Sequence, residues 1–185
     1  LIDHQKSGIL VTNVAASKLL LPDSIDFKNT NINLTVGQEY DLNNLVKMLS
    51  RSGYKKVSQV LSQGESSLRG DILDIFERSA EAPYRLEFFG DEIDGIRIFN
   101  PENQTSIDNI ESILIKPASD ILLSEKDYAR GRENLEAILE KAVDPALKSY
   151  LEELLISAKE EFHHADIRKF LSYFYQKEWT ILDYL

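Results

Sequence analysis

The sequence predicts an α+β fold: an antiparallel sheet covered by one amphipathic helix and followed by a helical segment. Three observations carry this. Short runs rich in Ile, Val, Leu and Phe crowd residues 56–115, punctuated by Gly, Pro, Asn and Asp, and their spacing leaves no room for crossover helices. One stretch before them, residues 41–51, repeats its apolar residues at helical spacing. After Pro117 the apolar period is helical.

The elements follow in order. Gly8 to Val14 (GILVTNV) is apolar and β-branched, which suits a buried strand. A helical turn over Ala15 to Leu20 should stop before Pro22. A polar connection then leads to a strand at Asn33 to Val36. Asp41 is placed to cap a helix with Leu42, Leu45, Val46 and Leu49 on one face, and Gly53 to end it. Strands are expected at Lys56 to Leu61, Gly70 to Phe76, Tyr84 to Phe89, Gly95 to Phe99 and Ile110 to Ile115. Gly90-Asp91 suits a tight hairpin between the third and fourth of these. Helices are expected over Glu125 to Ala142, from about Pro145 onward, and over about Ala165 to Tyr175.

Composition narrows the function. The 185 residues hold 21 Lys and Arg against 31 Asp and Glu, a net charge of −10, which a phosphate backbone repels. The absence of cysteine excludes disulfides, thiolate metal sites and a cysteine nucleophile, and it fits a reducing cytoplasm. No apolar run approaches the length of a membrane span. The chain starts without Met and stops inside an apolar pattern at Leu185, so it reads as an excised part of a longer protein.

Catalytic patterns are missing. Neither phosphate-cradling glycine motif occurs, so no nucleotide or other cofactor is expected. Only His4, His163 and His164 offer imidazoles. Glu160 and His164 stand one helical turn apart, but two ligands fall short of a metal site and fit a solvated helix face. Arg69-Gly70-Asp71 spells an adhesion signal that suits an extracellular ligand, which this chain does not resemble. Adjacent carboxylates such as Glu152-Glu153 are expected by chance in so acidic a chain. No enzyme mechanism and no metal site follow.

The most informative residues are Gly64 to Phe76 (GESSLRGDILDIF) and Pro83 to Asp94 (PYRLEFFGDEID). On a strand, Tyr84, Leu86 and Phe88 share one face, and Arg85, Glu87 and Phe89 share the other. The first set is the core face. The second is either a solvated face with cross-strand ion pairs to Arg97 or Asp94, or a docking surface anchored by arginine. For Arg69 the first reading is an ion pair with a nearby carboxylate such as Asp71.

These blocks, with Gly53-Tyr54-Lys55-Lys56-Val57, Asn103-Gln104-Thr105-Ser106 and Leu182-Asp183-Tyr184-Leu185, resemble the UvrB-like N-terminal region of bacterial transcription-repair coupling factors. The similarity covers most of the chain. It implies an inserted α+β partner-binding domain at residues 31–116, with 1–30 and 117–185 as flanking pieces of a discontinuous, helicase-like α/β domain. It implies a non-catalytic module that recruits UvrA, linking stalled RNA polymerase to nucleotide excision repair. Polymerase binding, DNA binding and ATP-driven translocation would belong to other domains of the parent. Carried over by motif, Arg69, Arg85 and Glu87 fall on UvrA-contacting positions, and Lys56 on a basic position before the strand. Ser67 stands where UvrB carries another arginine, Ser66 replaces an aromatic and Glu77 a proline. The alternatives are the corresponding fragment of UvrB and a direct nucleic-acid-binding module.

Overall fold

The structure, a computed structural model, describes residue 9 and residues 11–23, 29–160 and 165–184. In chain order the elements are α1 (Val14–Ser17), β1 (Ile32–Thr35), α2 (Leu42–Arg51), β2 (Lys55–Lys56), β3 (Glu65–Arg69), β4 (Ile72–Ile75), β5 (Tyr84–Phe89), β6 (Glu92–Phe99), β7 (Ser106–Ile110), β8 (Ser112–Ile115), α3 (Glu125–Lys141), α4 (Pro145–Glu160), a 3-10 segment (Ala165–Phe170) running into α5 (Leu171–Phe174), and a 3-10 turn (Ile181–Tyr184). The chain divides into two compact units, residues 27–120 and residues 1–26 with 121–185.

The 27–120 unit has the α+β fold that the sequence predicts. Six strands lie in the order β2-β3-β4-β5-β6-β7, and β1 pairs with β8 in a separate ribbon. The Asp41 carboxylate accepts from the Asn44 amide at 3.0 Å and starts α2. Gly53 follows it with φ +95°, a conformation that favours glycine. Leu45 and Leu49 of α2 join Leu73, Ile75, Leu86, Phe88 and Ile96 of the sheet in one buried cluster. The alternation read along β5 therefore holds, with Leu86 and Phe88 buried against the helix.

Several expectations need correction. β2 stops at Lys56 and pairs parallel to β3, so Lys56 to Leu61 is not a strand and the sheet is not wholly antiparallel. After the Val57 amide, which donates to the Ser66 carbonyl, the segment bonds its backbone to side chains. The Glu65 carboxylate accepts from the amides of Leu61 and Ser62, and the Ser67 hydroxyl donates to the Ser58 carbonyl. β3 and β7 were not expected. Their sequences, ESSLR and SIDNI, carry little apolar alternation, and ladder hydrogen bonds to neighbouring strands define them. In GILVTNV, Ile9, Val11 and Val14 are exposed and residues 11–13 form no strand; Gly8 and Leu10 lie outside the described residues. An apolar run needs a pairing edge to become a strand, and residues 11–13 have none among the described residues. The third helix is 3-10 over its first six residues.

The unit of residues 1–26 and 121–185 is built on α3, α4 and α5. Ser124 and Asp127 form a reciprocal capping box at the start of α3. Leu135, Leu151, Leu154, Ile167, Leu171 and Phe174 form the buried cluster, with Tyr128 edge-on to Phe174 at 5.9 Å. Gly131 makes the close helix packing possible, since a Cβ there would lie 2.1 Å from Cδ1 of Phe174. Gly131→Ala should therefore destabilise the unit by about 1–3 kcal/mol through overpacking, against the helix preference for alanine of about 1 kcal/mol. Urea unfolding reads the sign, and a raised midpoint would show that Phe174 can yield.

Candidate docking face

Strand register builds the face opposite α2. Ser67, Asp74, Arg85, Arg97 and Asn109 stand side by side across β3 to β7. The neighbouring row holds Arg69, Ile72, Glu87 and Gly95. Side chains alternate along each strand, so these residues share one side of the sheet. Asp94 is the extra residue of a bulge between β5 and β6, which leaves the β5 alternation intact. Phe89 follows Arg85 and Glu87 on the same side and is 84% exposed at the hairpin.

Asp74 sits at the centre with its side chain 1% exposed. Its Oδ2 accepts from Arg69 Nη2 at 2.7 Å and from Arg85 Nη2 at 2.8 Å, and its Oδ1 accepts from Arg85 Nε at 2.7 Å. A buried carboxylate persists only where such donors replace water. Arg85 Nη2 also donates to Gln104 Oε1 at 2.8 Å, and the guanidinium carbon lies 4.3 Å from the Phe99 ring centre. Hydrogen bonding to Asp74 raises the Arg85 pKa above its ordinary value, with partial burial opposing. Beside this cluster, Glu87 accepts from Arg97 Nη2. Three guanidiniums thus share two carboxylates, leaving one net positive charge on an otherwise acidic chain.

The structure brings Arg69, Arg85 and Glu87 together on this face. Lys56 does not join them. It pairs with Ser66, whose row continues to Ile75 and Tyr84 on the helix-covered side, while Lys55 pairs with Glu65 on the arginine side. Period-two alternation sends adjacent lysines to opposite faces. The expected cross-strand pair of Glu87 with Arg97 is present, whereas Arg69 and Arg85 meet Asp74 rather than Asp71 or Asp94.

The sequence places Phe89 and Arg97 on this face without a contact role, and gives Asp74 and Gln104 no place on it. Alternation alone places Phe89 beside Glu87, and Asp74 is the one charge inside the apolar run Ile72–Phe76. No group of three His, Asp or Glu among the described residues could hold a metal; His4, His163 and His164 lie outside them. No helix among the described residues is long and apolar enough to cross a membrane.

Residues 32–120, which contain this whole face, match the family model described as the UvrB interaction domain. Over 99% of its length the chain is 33% identical to the transcription-repair-coupling factor of Bacillus subtilis (strain 168). The chain belongs to the transcription-repair-coupling factor family. It is also similar to the family member of Staphylococcus aureus (strain bovine RF122 / ET3-1), 34% identical over 97% of this chain. The match covers 16% of the length of each relative. Within that span the UvrB interaction domain is a protein-interaction module, and its arginine face exposes guanidiniums, a carboxylate and an aromatic.

Proposed function

We propose that the arginine face docks UvrA, making this chain the non-catalytic recruiting module that links stalled RNA polymerase to nucleotide excision repair in the cytoplasm. The observation that carries the reading is the coincidence of the matched segment, 32–120, with a face where Arg69, Arg97 and Phe89 remain partly or largely exposed. Arginine and aromatic side chains are the residues that most often dominate binding energy. Polymerase binding, DNA binding and ATP-driven translocation belong to other parts of the parent. Direct nucleic-acid binding by this chain is disfavoured, because the net charge is −10 and each arginine of the face is already ion-paired, with only one net positive charge left among them.

Calorimetric titration of the folded chain with UvrA, beside a titration with duplex DNA, tests the reading. Saturable binding to UvrA is expected, with none to DNA. Binding to DNA with a steep salt dependence, and none to UvrA, would replace it.

A further inference from the structure

We propose that Gln104 is a positioning residue of the docking face, holding Arg85 so that its guanidinium offers only Nη1 to an acceptor oxygen of the partner. The inference rests on the UvrA-docking reading. It starts from the backbone. Gln104 has φ +63°, and every other residue with positive φ among those described is glycine. A long side chain in that conformation is unfavourable, and such strain persists where surrounding contacts hold it.

The turn does not need glutamine. The loop closes through the Gln104 amide donating to the Asn100 carbonyl at 2.8 Å and the Asn100 amide to the Thr105 carbonyl at 2.9 Å. Asn100 Oδ1 accepts from the amides of Glu102 and Asn103. Glycine would satisfy all of these. What glutamine adds lies in its amide. Nε2 donates to the Pro101 carbonyl at 2.7 Å, which fixes the amide plane, and Oε1 accepts from Arg85 Nη2 at 2.8 Å.

Counting donors gives the consequence. A guanidinium has five N–H groups. Asp74 takes one from Nε and one from Nη2, and Gln104 takes the second from Nη2. Nη1 has no bond among the described residues and is not among the buried polar atoms lacking a partner, so it faces solvent. The end-on edge, where a carboxylate would bind Nη1 and Nη2 together, is closed by Gln104. A partner therefore meets Arg85 through a single oxygen on Nη1. Asp74 Oδ2 is shared with Arg69, so the second acceptor also keeps Arg85 in place when a partner draws on Arg69. Such pre-organisation lowers the ordering cost of binding.

Gln104→Gly keeps the turn, relieves the backbone and removes the acceptor. Its Tm should be no lower than that of the unaltered chain, while the Kd for UvrA rises about tenfold, the effect of one hydrogen bond to a charged group. Gln104→Asn, one methylene too short to reach Arg85, should weaken binding likewise. In an Arg85→Lys background, Gln104→Gly should cause no further loss. An unchanged Kd, a loss that tracks a fall in Tm, or an equal loss in the Arg85→Lys background overturns the inference. Arg69→Glu separates the two readings. If it weakens UvrA binding and Gln104→Gly does not, only the positioning role falls; if neither does, both fall.

Discussion

Asp74→Ala is expected to lower the unfolding free energy of the 27–120 unit by about 3–5 kcal/mol, the typical result of removing one partner from a buried ion pair. The Asp74 side chain is 1% exposed and occupies three guanidinium N–H groups. Its removal leaves Arg85, 16% exposed, without its main acceptor and directly opposite Arg97, where like charges repel. Arg69, 47% exposed, can turn to water and adds little to the loss. Truncating Arg85 as well should therefore restore part of the stability, and a double-mutant cycle with Arg85→Met measures how much. Glu87→Ala is the comparison, since its pair with Arg97 is about one-third exposed on both sides and should cost about 0–1 kcal/mol. Equal urea midpoints for the two alanine variants would refute the central role of Asp74. The same geometry makes Arg85→Glu a poor probe of binding, because it sets a carboxylate against a buried carboxylate.

Legibility in the sequence followed how local each signal was. Asp41, the Leu45 and Leu49 spacing and Gly53 declare α2 within one stretch of chain, and each behaves as read. Tyr84 to Phe89 declares both a strand and its two faces, because one face is apolar and the other is not. β3 and β7 were hidden because they are polar strands defined by their neighbours rather than by their own pattern. The site was half legible for a related reason. Alternation puts Arg85, Glu87 and Phe89 on one side, but which carboxylate meets which arginine depends on register between strands. That register depends on the bulge at Asp94 and on a strand that begins at Glu65, neither of which has a local signature. Lys56 stands one residue away from the arginine side, which in a strand is the difference between the two faces.

Phe89→Asp should cut affinity for UvrA by about 30-fold or more while leaving the fold intact. The fold argument is direct: Phe89 is 84% exposed, ends β5 opposite Glu92, and precedes a hairpin whose turn is set by Gly90 at φ +65°. Nothing in the buried cluster leans on it. The binding argument comes from its surroundings. Around it the face is charged but largely self-neutralised, with Asp74 and Glu87 compensating the arginines, so charge fixes orientation more than it supplies affinity. An exposed aromatic beside such a network is the group whose burial gains most. Central aromatic anchors commonly contribute 2 kcal/mol or more, about 30-fold in Kd. Leu114→Asp serves as the control, because Leu114 is 50% exposed but lies on β8, in the separate two-stranded ribbon. Loss of binding in Phe89→Asp with Leu114→Asp unaffected would place the energetic centre of docking at the β5–β6 hairpin. Equal binding by both folded variants would move it off this hairpin and leave the arginines to carry the contact.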